Sequence, residues 1–169
     1  ESVPLGEELD IVADYLAIEH ERFLERLTVR VDVPAALREL LVPPLLLQPV
    51  VENAVKHGVS PLKRGGEVSV SARCSAPQDD GAAMLQLTVA DTGAGWREER
   101  RHAPTGTGVG LANLERRLDR IFGPRASLAI SGAPDRGTTV VITIPVDASA
   151  LEPEALADAS AAPAARHAS

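Results

Sequence analysis

Residues 45–58, LLLQPVVENAVKHG, set an amide, two opposite charges and an imidazole into an otherwise apolar run. Read as a helix, Gln48, Glu52 and Lys56 fall in an i, i+4, i+8 row, while Leu47, Val51, Ala54, Val55 and Gly58 share the face suited to packing on a sheet. Glu52 ahead of Lys56 is the favourable order for an ion pair, which on a solvated face contributes only about 0.2–0.5 kcal/mol. Asn53 and His57 lie on a third face with Leu46, Pro49 and Val50. An asparagine among apolar neighbours needs a hydrogen-bond partner, so Asn53 is either a satisfied core amide or a ligand. His57 either faces a bound anion or caps the helix near its C-terminus.

A second group of residues follows a strand. DTGAGW (residues 91–96) comes directly after MLQLTVA, and GTGVGLANLERRL (residues 106–118) lies ten residues further on. The glycines at 93, 95, 106, 108 and 110 let the backbone approach a ligand closely. The run 106–110 leads into a helix, whose N-terminus offers free N–H groups and a positive dipole end, a phosphate site on physical grounds. Neither common phosphate motif accounts for it. A dinucleotide fold requires a strand immediately before the glycines, where this chain has the polar ERRHAPT, and no Gly-Lys-Ser/Thr follows to make a Walker loop.

These residues must be held by the remaining elements. Leu9, Val12, Ala13, Leu16 and Phe23 recur at helical spacing and predict an amphipathic opening helix. In LTVRVDVP the period drops to two, with Leu27, Val29, Val31 and Val33 on one face, predicting a half-buried strand. Pro43 and Pro44 are expected to open the Asn53 helix. EVSVSARC and MLQLTVAD predict two strands joined by the turn-rich PQDDGA, GLANLERRLDRIF a helix, and ASLAISG and GTTVVITIP two more strands. The expected order is helix, strand, helix, two strands, helix, two strands, without internal repeats. From Ala148 the composition turns to Ala, Ser, Pro and Asp without apolar period, which predicts a disordered tail over residues 148–169.

Composition narrows the function. With 169 residues and 44% hydrophobic content the chain can bury one substantial core. Aromatics at 2% leave few stacking platforms, and a net charge of −7 opposes a nucleic-acid or anionic-membrane surface. The single cysteine, Cys74, fits a reducing, cytoplasmic compartment. No apolar run is long enough for a membrane span, so no direct membrane contact is expected from this segment. The first residue is Glu1 rather than Met, and the chain is read as a fragment whose missing N-terminal part carries membrane and sensor segments.

Taken together, VPPLLLQPVVENAVKHG, DTGAGW and GTGVGLANLERRL resemble the motifs of the GHKL ATP-binding superfamily, in particular the catalytic domain of LytS-type sensor histidine kinases. Upstream, VPLGEELDIVADYLAIEHERF is similar to the segment that links that group's phosphoacceptor region to its ATP-binding domain. The resemblance covers about residues 3–146. It implies a two-layer α/β sandwich of the GHKL (Bergerat) type, with a mixed sheet covered on one face by helices. It divides the chain into a linker helix (1–26), an ATP-binding catalytic domain (27–147) and the tail. ATP and Mg²⁺ are the implied cofactors. Asn53 would hold Mg²⁺, Asp91 would accept a hydrogen bond from the adenine amino group, Gly93 and Gly95 would shape the floor of the adenine pocket, and Thr138 would support adenine from the neighbouring strand. Gly106, Thr107, Gly108, Val109, Gly110 and Leu111 would wrap the phosphates, with Lys56 and His57 joining the nucleotide-binding set. WREERRHAPT would be a mobile lid, its Arg97, Arg100 and Arg101 either reaching phosphates or forming a solvated charge run. Mg²⁺ keeps waters and leans on substrate phosphates, so a single side-chain amide is an adequate protein ligand.

The departures bear on mechanism. In the hydrolysing branch, which includes gyrase- and Hsp90-like proteins, a Glu one turn before the magnesium Asn activates water; that position here is Pro49. Glu52 lies about 100° around the helix from Asn53 and cannot take over that geometry. No catalytic residue is assigned within the chain, with Glu52 and His57 kept as candidates. None of the four histidines sits in an acceptor sequence of the type NPHFLFN; His20 in IEHERF lacks the Arg-Thr-Pro of another group's acceptor box. The expected activity is therefore transfer of the ATP γ-phosphoryl group to a histidine outside this chain, for relay to a response regulator, by a kinase that is homodimeric at full length. An anti-sigma-factor-type serine kinase and a non-catalytic nucleotide-binding module are the alternatives.

Overall fold

The computed structural model describes residues 1–76, 79, 82–96, 107–153 and 156. Its centre is a five-stranded sheet in the order β2-β4-β5-β7-β6, comprising β2 (Leu27–Asp32), β4 (Gly66–Cys74), β5 (Ala82–Asp91), β6 (Ser127–Gly132) and β7 (Thr138–Asp147). Only β2 and β4 run parallel; every other pair is antiparallel, so the sheet is mixed, as expected. Alternation decides its faces. Val68, Val70, Ala72, Leu85, Leu87, Val89, Val140, Ile142 and Ile144 point into one core, while Ser69, Ser71, Thr88, Thr139 and Thr143 stay half-buried on the other side.

Helices cover the apolar face. In α1 (Leu5–Phe23) Leu5, Leu9, Val12 and Leu16 are buried, at spacings that place them on one stripe. Ala13 is exposed and the stripe begins at Leu5 instead, because Pro4 ends a short strand β1 (Val3–Pro4) that pairs with β3 (Leu41–Val42) and turns the chain inward. The core therefore runs across the change of period at residues 26 and 27: α1 is packed into the same cluster as the sheet. In α3 (Thr107–Phe122) Leu111, Leu114 and Leu118 form the buried stripe.

Three sequence expectations differ from the structure. Strand β2 forms, but only Leu27 is buried, with Val29 and Val31 37% and 48% exposed. It is an edge strand, and the helix layer covers only its start. The prolines 43 and 44 do not open the next helix: Leu45 adopts a left-handed φ of 56°, and α2 (Gln48–Asn53) begins only at Gln48, with Pro49 in its first turn. The tail is not free at its start, since Ala148 and Leu156 are buried and Leu151 packs on the core; residues 157–169 lie outside the described residues.

Candidate functional site

Beyond Asn53 the α2 helix widens. Ala54–Val59 continue it as a π-helical segment, closed by Ser60 N–H donating to the Val55 carbonyl at 2.8 Å. Such insertions break the i to i+4 ladder and recur at functional sites. The expected sheet-facing residues, Leu47, Val51, Ala54, Val55 and Gly58, are all buried. Gln48 Nε2 donates to Glu52 Oε1 at 2.9 Å, and Lys56 Nζ lies 3.5 Å from Glu52 Oε2, its side chain mostly exposed. The polar row thus satisfies itself along the outer side of the helix, and Glu52 is engaged there.

Asn53 is different. It is buried to 9% exposure, and its Oδ1 has no hydrogen-bond partner among the described residues. An orphan buried acceptor costs about 1–3 kcal/mol, so its presence asks for a donor or cation that the described residues do not supply. Mg²⁺ fits this donor set: one neutral oxygen suits a hard cation whose other ligands are waters and phosphate. Among the described residues no group of three or more His, Cys, Asp or Glu could hold a metal, leaving the amide oxygen as the candidate. His57 is half-buried and engaged with its surroundings.

The π segment seats directly on the end of β5. A Cβ placed on Gly58 would fall 2.5 Å from Asp91 Oδ1, and one on Gly93 would collide with the Gly58 carbonyl group, so side chains are barred from both positions. Ala94 N–H donates to the Gly58 carbonyl at 2.9 Å, stitching the DTG turn to the helix. Asp91 is 8% exposed. Its carboxylate accepts the Gly93 N–H at 2.8 Å and the backbone N–H of Thr138, its register partner on β7. Burial nonetheless wins over these two hydrogen bonds and pushes Asp91 from an ordinary 3.8 up to about 6. A buried acid with raised pKa beside glycine-lined backbone is a candidate ligand site.

Thr138 is buried at the start of β7, opposite Asp91. Gly95 holds a φ of 84° in the turn, where Asp135 N–H bonds the Ala94 carbonyl at 2.8 Å. Thr107, Gly108, Val109, Gly110 and Leu111 form the first turns of α3, which packs against α2. Leu111 is buried, Val109 exposed, and a Cβ on Gly110 would meet nothing within 4 Å among the described residues, so their packing does not require glycine there. Gly106, the lid arginines 97, 100 and 101, and His102 lie outside the described residues. His20 Nδ1 is 2.8 Å from the Leu27 carbonyl, a tie between α1 and β2. Sequence reasoning put Gly58 on the sheet-facing side without singling it out for the candidate site, and it missed Gly137, Glu8 and Arg117. Gly58 and Gly137 make close approaches to Asp91. Glu8 and Arg117 hold the start of α2. Gly137, in RGTT, carried a turn signal; Glu8 carried none beyond an acidic first turn.

The family described as histidine kinase-, DNA gyrase B-, and HSP90-like ATPase matches residues 44–148. Over 143 residues the chain is 34% identical to the sensor histidine kinase YesM of Bacillus subtilis, covering 85% of this chain and 24% of that protein. It is 34% identical over 152 residues to the sensor protein LytS of Staphylococcus haemolyticus, covering 85% and 25%. The chain thus spans about a quarter of the length of these relatives. Its fold is similar to that of the Erythrobacter litoralis EL346 blue-light activated histidine kinase, with a TM-score of 0.60 and 25% identity over 86% of this chain and 42% of that one. Among the described residues no helix is long and apolar enough to cross a membrane.

Proposed function

The chain belongs to the histidine kinase-, DNA gyrase B-, and HSP90-like ATPase family, and from that premise we propose that it is the Mg-ATP-binding catalytic part of a sensor histidine kinase. The observation that carries this reading is the buried Asn53 Oδ1, unpartnered among the described residues, on the helix whose Gly58 is seated against the Asp91 carboxylate.

Asp91 accepts the adenine amino group, with Gly93 and Gly95 leaving room for the base and Thr138 backing it. The free N–H groups at the start of α3, with Gly106, Gly108 and Gly110, take the phosphates. Asn53 Oδ1 is the protein ligand to Mg²⁺. When bound, the ion neutralises charge on the phosphate oxygens. Lys56 and His57 flank the phosphate end.

The reaction is transfer of the γ-phosphoryl group to an imidazole nitrogen: the bond to the ADP oxygen breaks, a P–N bond forms, and the imidazole gives up a proton. Water is a poor competitor. Pro49 has no base to offer, and Glu52 is tied to Gln48 and Lys56. The acceptor histidine lies outside this chain, in an upstream region of the full-length protein. A response-regulator aspartate receives the group next. We assign the whole to a homodimer, with this segment as the cytoplasmic part of a membrane-anchored sensor. The named sensor kinases to which the chain is similar support the histidine-kinase part of this reading.

Calorimetric titration with ATP, in the presence and absence of Mg²⁺, tests the binding half of the proposal. Magnesium-enhanced binding that prefers ATP over GTP supports it; no binding under either condition refutes it.

A further inference from the structure

Leu45 is a leucine in a left-handed conformation, with φ 56° and a side chain 52% exposed. Such a backbone costs on the order of 1–3 kcal/mol and persists only where its surroundings enforce it. Side-chain burial does not do so here; two hydrogen bonds do. Its N–H donates to Glu8 Oε1 at 2.6 Å, and its carbonyl accepts from Arg117 Nη2 at 2.7 Å. The second Glu8 oxygen takes the N–H groups of Leu46 and Leu47 at 2.7 and 3.0 Å. Leu47, the residue that precedes α2, has no side-chain cap of its own. A carboxylate from α1, 2% exposed and nearly forty residues away in sequence, does that work for it.

We propose that Glu8 and Arg117 are positioning residues for the phosphate-and-metal half of the nucleotide site, acting through the backbone of Leu45. The inference rests on the nucleotide reading given above. Three helices meet at this one residue. Glu8 brings α1, Leu45 leads through Leu47 into α2 and to Asn53 eight residues on, and Arg117 brings α3, whose first turn carries the glycine run. Clamping Leu45 from both sides sets where α2 begins and how it is turned toward the start of α3. The adenine half has holds of its own. Asp91 and Thr138 are fixed by pairing of β5 with β7, and the DTG turn by Gly137 N–H donating to the Gly93 carbonyl at 3.2 Å; the bond from Ala94 N–H to the Gly58 carbonyl, at the far end of the helix from the clamp, is its tie to the segment that follows α2. Loosening the clamp at the start of α2 therefore affects magnesium and phosphate before it reaches the base.

The experiment compares affinity for the non-hydrolysable analogue AMPPNP in excess Mg²⁺ with its affinity in EDTA, for the unsubstituted chain, Glu8→Gln and Arg117→Gln. Expected is a fall of at least about tenfold in the ratio of the two affinities for both variants, with the EDTA value within about twofold of the original. A purely structural role would lower the melting temperature and weaken both affinities together; an unchanged ratio overturns the inference. Arg117 is only half-buried, so its variant decides the matter if Glu8→Gln does not fold. If the unsubstituted chain binds AMPPNP in neither condition, or without gain from Mg²⁺, the nucleotide reading itself fails and the inference falls with it.

Discussion

Gly58 and Asp91 are in contact, and no side chain fits between them: a Cβ on Gly58 would stand 2.5 Å from Oδ1, 2.6 Å from Cγ and 2.9 Å from Oδ2 of the carboxylate. The helix that carries Asn53 therefore rests on the acid proposed to read the base. Gly58→Ala must push the carboxylate away from the N–H groups of Gly93 and Thr138. Overpacking of this kind costs about 1–3 kcal/mol of stability. The specific expectation is a loss of discrimination, with ATP and GTP affinities converging, as read by calorimetry. An alanine variant that discriminates as the unsubstituted chain does would separate the contact from base recognition.

The raised pKa of Asp91 makes a signed prediction. Between about pH 4 and pH 6 the folded chain holds a proton at Asp91 that the unfolded chain has lost, so this residue's contribution to stability is present at low pH and declines as pH rises through about 6. The shift amounts to on the order of 3 kcal/mol at most. Asp91→Asn removes this dependence. The melting temperature of the variant minus that of the unsubstituted chain should increase from pH 4 to pH 6 and then level off; a difference independent of pH contradicts the assignment. The ionised acid is the better acceptor for an adenine amino group, so ATP affinity should climb over the same interval and stay flat in the variant.

Asn53→Ala should separate binding from folding. Its Oδ1 is buried without a partner among the described residues, so the substitution relieves an unsatisfied acceptor, and stability should change by no more than about 1 kcal/mol. The gain in ATP affinity produced by Mg²⁺ should vanish. A large loss of stability with magnesium dependence intact would return Asn53 to the core.

The architecture was readable, and candidate site residues could be singled out, because each rests on a local signal. Period two gave β4, β5 and β7, period 3.6 gave α1 and α3, and glycine spacing pointed to the DTG turn and the α3 start. What escaped depends on contacts distant in sequence. The burial of β2 was overestimated because alternation cannot say whether a strand lies at an edge. The start of α2 was misplaced because Pro43 and Pro44 looked like helix openers, whereas the N–H groups of residues 45–47 go to Glu8. The π segment has no composition signal at all. The segment from Ala148 has no apolar period, yet Leu151 packs on the core and Leu156 is buried.

The central claim is that this chain binds ATP, leaves water alone and passes the γ-phosphoryl group to a histidine it does not contain. Incubating it with γ-labelled ATP and Mg²⁺, alone and with the upstream acceptor region of its full-length kinase, tests this most directly. Without a positioned base, hydrolysis forgoes about 10²–10⁴-fold in rate. The account predicts slow phosphate release, no label on His20, His57, His102 or His167, and acid-labile label on the acceptor histidine once the region is supplied. Stoichiometric acid-labile label on His20, rapid phosphate release, or firm ATP binding with no transfer to the acceptor would contradict it.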